Sequence, residues 1–269
     1  MKVVRTNKTK KMLQSGQVAI GAAIASPAPD LVELAAVAGF DFVTFDAEHE
    51  PLDDWQLADL IRAADAFDVT PIVRVPKDPD RLLRLLNIGA QGVHVPRCSS
   101  VTDMVQLVKA TRFYPLGERT FYRLGRGGNF NRGLTDDEWS RQTNEELLVI
   151  AMIEEASALD QLEPMLEVSG VDAIHIGPKD LWQSLGMPPT ETVDIAIGKI
   201  AAAARAAGKQ LSLQLQGFDD VDRQIERHKA LGANMITVPL IGLLVRESEA
   251  LVQRIRKNIP QNSRVLHGT

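Results

Sequence analysis

The sequence predicts a (β/α)8 barrel, on three observations. A rhythm of helical period, glycine, two residues and a β-rich run recurs around Gly39, Gly89, Gly170 and Gly232. Most of the β-rich runs are continuously apolar, as expected for strands covered on both faces. Eight such strands can be counted, near 18–24, 42–46, 71–75, 92–96, 148–153, 173–177, 211–215 and 235–238. Eight strands alternating with helices in a chain of 269 residues suit one closed parallel sheet. An open doubly wound sheet is the competing architecture, but no glycine-rich dinucleotide fingerprint follows the first strand.

Taken in order, the elements carry their own punctuation. Each of the four glycines falls where a helix C′ residue turns left-handed. Asp53 can cap the helix after strand two, with Trp55, Leu57, Leu60, Ile61 and Ala64 expected to face inward. Asp78 followed by Pro79 is an N-cap with proline at N1, and Leu82, Leu83, Leu85 and Leu86 supply the apolar face. The segment 114–147 breaks the rhythm. Its first half is rich in glycine and carries Arg119, Arg123, Arg126 and Arg132; its second half, from Thr135, reads as a capped helix. A loop of this length is usually functional, and it is expected over the barrel mouth as a lid or subunit contact. Its glycines do not match a phosphate-binding loop. The last helix holds Leu240, Ile241, Leu243, Leu244, Val245, Leu251, Val252 and Ile255, more apolar side chains than one helix face needs. It is expected to serve an oligomer, and residues 1–269 are expected to form a single barrel domain.

Composition narrows the function. A net charge of −5 argues against a nucleic-acid surface. No apolar stretch approaches membrane-spanning length, and the basic residues from Lys2 to Lys11 are followed by no leader-like apolar run. The lone Cys98 excludes an intrachain disulfide and reads as buried and inert. The expectation is a cytoplasmic protein with neither nucleic-acid nor membrane partners.

The chemistry lies at the strand ends, where a parallel barrel gathers its catalytic groups. Strand two ends in Asp46 and runs on to Glu48 and His49. Strand three carries Arg74 in an otherwise apolar run, and an arginine there needs an anion. Strand five ends in Met152, Ile153, Glu154 and Glu155; strand six leads through Gly177, Pro178 and Lys179 to Asp180. Glu154 and Asp180 on neighbouring strand ends suit a hard divalent cation, which takes one or two carboxylates and fills its shell with water and substrate oxygens. A 2-oxo acid fits: its keto and carboxylate oxygens chelate the metal while Arg74 pairs with the carboxylate. Each acid also suits a plain helix N-terminus, and Arg74 a structural ion pair. His49 also suits a helix cap, and Asp46 the orienting of His49. His94 and His175, inside strands, read as core histidines; Glu48 and Glu155 read as solvated or supporting acids.

At these residues the sequence resembles the metal-dependent hydroxy-oxo-acid aldolases, the class II pyruvate aldolases related to the citrate lyase β subunit. The resemblance spans roughly residues 12–255 and rests on five motifs. These are Phe-Asp-Ala-Glu-His-Glu-Pro at 45–51, Pro-Ile-Val-Arg at 71–74, Ala-Thr-Arg-Phe-Tyr-Pro-Leu-Gly at 110–117, Ile-Glu at 153–154 and Ile-Gly-Pro-Lys-Asp-Leu at 176–181. The resemblance implies a TIM barrel of the phosphoenolpyruvate/pyruvate-binding type and a lyase that cleaves or forms 4-hydroxy-2-oxo acids through a pyruvate enolate. It implies Glu154 and Asp180 as ligands of Mg2+, Mn2+ or Co2+, and Arg74 on the pyruvyl oxygens. His49, with Asp46 nearby, joins the acid/base machinery. Gly177, Pro178 and Lys179 meet the substrate carboxylate, Met152 lies at the keto oxygen, and a homohexamer has neighbouring subunits completing each site. The partners implied are a small 2-oxo acid and an aldehyde.

Five positions depart from the family pattern. Met152 replaces a usual glutamine, Asn87 an aspartate, Lys179 a small residue and Trp182 a serine; Gly-Glu-Arg-Thr at 117–120 replaces Gly-x-Arg-Gly. Lys179 and the loop arginines are expected to steer the enzyme toward acidic substrates. The alternatives are a related lyase or decarboxylase of oxaloacetate-like acids, an imine-forming aldolase using Lys77 or Lys179, and a non-catalytic oxo-acid binder.

Overall fold

A computed structural model describes residues 4–259; Lys2 and the two ends of the expected 1–269 domain lie outside them. The strands are β1 (Ala19–Ile24), β2 (Phe42–Asp46), β3 (Thr70–Arg74), β4 (Gly92–Val95), β5 (Leu148–Ile153), β6 (Ala173–Ile176), β7 (Gln210–Gln214) and β8 (Met235–Pro239). They pair in sequence order, all parallel, and β8 returns to β1 to close the barrel. The helices are α1 (Lys8–Gln14), α2 (Pro29–Val37), α3 (Asp54–Ala66), α4 (Pro79–Ile88), α5 (Val101–Thr111), α6 (Asp136–Glu146), α7 (Leu162–Leu166), α8 (Pro178–Ser184), α9 (Thr190–Ala206), α10 (Val221–Leu231) and α11 (Leu240–Asn258).

Local chemistry sets the boundaries. The Asp53 carboxylate accepts the Gln56 N–H at 2.8 Å, and the Gln56 side chain accepts the Asp53 N–H at 2.9 Å, closing a capping box on α3. Asp78 accepts the Asp80 N–H at 3.0 Å, with Pro79 first in α4. Gly89 and Gly232 end α4 and α10 at φ 110° and 81°, a conformation that a Cβ would strain. Leu57, Leu60, Ile61 and Ala64 are buried as expected, but Trp55 is 78% exposed. Two residues before Leu57, it falls on the far side of a 3.6-residue turn.

The barrel interior has two halves, and the strand period of two explains them. Phe42, Ile72, Leu148, Ile150, Ala173 and Met235 form the lower half, closed at the N-terminal end by Leu13 of α1. A Cβ on Gly21 would overlap the Phe42 ring, so glycine makes room for it. One alternate position up each strand, the same face carries Thr44, Arg74, His94, His175, Ser212 and Thr237. The upper half is therefore polar, and it opens on the C-terminal mouth.

The expectation that 114–147 covers this mouth is corrected. The segment joins the end of α5 to the start of β5, which places it at the N-terminal face. Arg119 donates to the Asn87 side chain at 3.0 Å, and Arg126 pairs with Asp65. Asn87 and Asp65 both precede the first residues of their strands. Arg5, Arg119 and Arg126 line a cavity of about 270 Å³ there. Arg119 stacks over Phe113 with 4.6 Å to the centroid, and burial pushes its guanidinium down to about 9. The arginines therefore share no rim with Asp180.

Of α11, Leu240 alone is buried among the described residues; Ile241, Leu244, Val245, Leu251, Val252 and Ile255 are exposed. No helix among the described residues is long and apolar enough to cross a membrane.

Candidate active site

Asp46 and Arg74 are neighbours in register at the ends of β2 and β3. Arg74 Nε donates to Asp46 Oδ1 at 3.0 Å, and Nη2 bonds Oδ2, a bidentate pair. Asp46 Oδ1 also accepts the N–H groups of Glu48 and His49, at 3.1 and 3.2 Å. Burial alone would raise the Asp46 carboxyl; the hydrogen bond and charge of Arg74 and the two backbone donors outweigh it and hold the group below its ordinary value. Burial would lower the Arg74 guanidinium, but Asp46, then Glu48 and Glu154, raise it. Asp46 thus fixes Arg74 and the backbone of the turn rather than the His49 ring.

His49 stands at the edge, its side chain 62% exposed, with Nε2 3.6 Å from Glu48 Oε2. Glu48 itself is withdrawn, its side chain 8% exposed, with Arg74 Nε at 3.7 Å and Arg97 Nη2 at 3.6 Å. Neither Glu48 nor Arg97 stands out in the sequence as a site residue. Arg97 follows Pro96 at the end of β4, so the strand-end logic that finds Asp46 and Glu154 also reaches it. Its backbone is left-handed at φ 53°, rare for a side chain this bulky, and its N–H donates to Glu154 Oε1 at 2.9 Å.

Glu154 is 4% exposed. Burial, offset by the Arg97 N–H and then reinforced by the charges of Asp180 and Glu48, pushes its carboxyl up to about 7. A Cβ on Gly177 would stand 2.6 Å from Glu154 Oε2 and 2.5 Å from Met152 Cε, so glycine is what leaves that oxygen its place. Glu154 and Asp180 line one cleft of about 420 Å³ with Glu48, His49, Arg97 and Ser184. No three His, Cys, Asp or Glu side chains form a closed metal site among the described residues. Two hard carboxylates in an open cleft, one of them buried beside other acids, fit a divalent ion that keeps water or substrate oxygens.

Other predicted residues are placed differently. Gly177 donates its N–H to Ile153 O at 3.1 Å and Pro178 has none, so the turn presents only the N–H groups of Lys179 and Asp180. The Lys179 side chain lines a separate groove with Trp182, Asp194 and Arg227, away from the cleft. Lys77 is tied to Arg97 O at 2.6 Å and Asp103 at 2.7 Å. Met152 is buried, packed on Gly177. Asn87 sits at the opposite face of the barrel, bonded to Arg119. His94 and His175 meet in the upper interior with ring centroids 4.5 Å apart.

A closed parallel barrel with acids, an arginine and a histidine gathered at the strand C-termini has the layout of a barrel enzyme's active site. The sequence profile of the HpcH/HpaI aldolase/citrate lyase family matches residues 20–238, and the chain belongs to that family. It is 32% identical over 267 residues to a 2-keto-3-deoxy-L-rhamnonate aldolase of Escherichia coli O157:H7, covering 95% of this chain and 94% of the relative. An HpcH/HpaI aldolase from Desulfitobacterium hafniense DCB-2 superposes with a TM-score of 0.85 at 28% identity, covering 94% and 97% of the two chains. The citrate synthase SbnG superposes with a TM-score of 0.82 at 30% identity, covering 92% and 97%. The protein is a class II, pyruvate-type aldolase by family.

Proposed function

We propose that the enzyme cleaves or forms 4-hydroxy-2-oxo acids at the cleft between Glu154 and Asp180, with pyruvate as the oxo-acid half. The observation that carries this is the convergence of both carboxylates with His49 on one cleft, beside the Asp46–Arg74 pair. Glu154 and Asp180 would hold Mg2+, Mn2+ or Co2+, which supplies Lewis acidity at the keto oxygen. Two nitrogens of Arg74 are engaged by Asp46, and Nη1 stays available to the pyruvyl oxygens, where it stabilises the developing enolate charge. His49, exposed at the cleft edge with Glu48 behind it, takes the proton from the C4 hydroxyl. The C3–C4 bond then breaks, its electrons pass to the pyruvate enolate, and the aldehyde leaves.

Imine chemistry has no support at the cleft: no lysine is among its lining residues, and Lys77 and Lys179 are held elsewhere. The test is retro-aldol cleavage assayed with chelator and, separately, with borohydride and pyruvate. Activity lost to chelator and an unchanged protein mass agree with the proposal; a borohydride adduct refutes it. The likeness to SbnG favours one second reading, condensation on a 2-oxo diacid. Turnover of oxaloacetate in preference to pyruvate would select it.

We also propose a homo-oligomer, a hexamer by resemblance, built through the apolar side chains that α11 leaves exposed. A cytoplasmic location belongs to the same proposal, on the single unpaired Cys98.

A further inference from the structure

An arginine buried without an acid is costly, because its guanidinium stays charged and hydrogen-bonds through every nitrogen. Arg119 is such a residue. It is 7% exposed, at the barrel face opposite the Glu154–Asp180 cleft. Its Nη2 donates to the uncharged Asn87 side chain at 3.0 Å, and its guanidinium lies over the Phe113 ring. Its Nε has no hydrogen-bond partner among the described residues, and no carboxylate there pairs with it. Buried donors are normally satisfied, so an unpaired one beside a cavity calls for a ligand that accepts from it.

The walls of that cavity specify the charge of the ligand. Arg119 lines it together with Arg5, Arg126, Asp65 and Glu146. Arg5 and Arg126 share a single acid, since both pair with Asp65. A Cβ built on Gly89 would stand 3.3 Å from Arg5 Nη2 and 3.6 Å from Arg126 Cδ, so the two side chains converge on one point of the wall. Burial first, then the charge of Arg126, lowers the Arg5 guanidinium to about 10. Glu146 is engaged elsewhere: it accepts the Asn7 N–H at 2.7 Å and lies 3.5 Å from Lys11. Three guanidiniums therefore face two carboxylates, one of them shared and the other drawn toward Lys11. The unmatched charge is positive, and guanidinium forks fit the oxygens of phosphate or carboxylate.

Size and polarity narrow the ligand further. The volume of about 270 Å³ lies just below the range of about 300–1,000 Å³ usual for ligand sites, which suits a small molecule. Leu86 and Leu147 add apolar wall for a short carbon skeleton. A neutral ligand would leave the excess charge uncompensated, and a cation would add to it. The loop is seated closely enough to hold this shape: a Cβ on Gly127 would stand 2.5 Å from Leu86 O at the end of α4.

We propose that this cavity binds a small organic oxyanion, a phosphate or carboxylate on a short carbon skeleton, among Arg5, Arg119 and Arg126. The site is independent of the aldolase reading, since none of its residues lines the Glu154–Asp180 cleft. Bound there, the anion joins the segment before α1, the end of α3 and the 114–147 loop through one residue pair, Arg5 and Arg126 on Asp65, and through Arg119.

The test is calorimetric titration of the full-length protein with inorganic phosphate and, separately, with acetate, each against chloride of matched ionic strength. One of them should bind saturably, once per chain; preference for phosphate identifies a phosphoryl ligand and preference for acetate a carboxylate. Arg119→Gln and Arg126→Gln should each weaken that binding about tenfold or more, the effect of losing a charge-assisted hydrogen bond. Arg97→Gln, in the opposite cleft, should leave it intact. Arg126→Gln, at a side chain 37% exposed, serves if Arg119→Gln fails to fold. Saturable binding of neither anion overturns the proposal. So does an affinity that both variants retain, or one that Arg97→Gln abolishes, which would place the anion in the cleft.

Discussion

Gly177→Ala is the sharpest structural test of how the metal cleft is built. The backbone at Gly177, φ −95° and ψ 89°, suits alanine, so any effect comes from the added Cβ and not from strain. That Cβ would meet Met152 Cε at 2.5 Å, Glu154 Oε2 at 2.6 Å and Glu154 Cβ at 2.8 Å. The Met152 methyl is the end of a flexible side chain and can swing aside. Glu154 Cβ cannot, and Glu154 Oε1 is anchored to the Arg97 N–H. The substitution should therefore cost about 1–3 kcal/mol of stability, as overpacked cores do. It should also displace the carboxylate and weaken divalent-metal binding about 10- to 100-fold, the usual effect of disturbing groups that orient a ligand. Adding Met152→Ala should return part of the stability without returning the metal affinity. Urea unfolding and calorimetric Mn2+ titration read the two quantities separately. Wild-type metal affinity in Gly177→Ala would refute the reasoning, as would recovery of affinity in the double variant.

Further outcomes follow from individual residues. Asp46→Asn should destabilise the protein by about 1–3 kcal/mol at neutral pH by leaving Arg74 without its charged partner. Because the Asp46 carboxyl is depressed in the folded state, its stabilisation is present above its ordinary value of 3.8 and is lost as pH falls through the lower folded value. Unfolding curves of wild type and variant should accordingly converge only in acid below 3.8. Burial pushes the Cys98 thiol up to about 12, so iodoacetamide at pH 8 should label it in urea and not in the native protein. Leu251→Glu with Ile255→Glu, at side chains 57% and 47% exposed on α11, should reduce the mass seen by light scattering. Lys179→Ala should alter the ratio of acidic to neutral aldehydes by no more than about twofold, as for an ordinary surface substitution.

Much of the fold was legible because local chemistry carries it. Apolar runs located each strand to within one residue, and Asp53, Asp78 and Thr135 marked true helix starts. Glu154 and Asp180 were legible as a pair because barrel topology brings the ends of β5 and β6 together. Position along the chain also settles where 114–147 must lie, since a helix-to-strand connection ends at the strand N-termini; its glycines and arginines suggested a lid instead. Lys179 and Asp180 are adjacent in sequence, but about 100° of helical rotation per residue sends one side chain to the groove and the other to the cleft. The contact between His94 and His175 was hidden for a different reason. His94 and His175 belong to β4 and β6, with β5 between them, so each looks like an isolated core residue until the barrel closes. Glu48 reads as solvated because its burial depends on Arg74 and Arg97, which arrive from two other strand ends.

The central claim is that Glu154 and Asp180 support enolate formation from pyruvate with a bound divalent ion. Deuterium exchange at C3 of pyruvate, followed by NMR in D2O, tests it without any aldehyde. Exchange is expected in the metal-loaded wild type, with its loss on chelation and its restoration by added Mn2+ in the wild type but not in Asp180→Asn or Glu154→Gln. Exchange that persists after chelation, or at the wild-type rate in both variants, would contradict it.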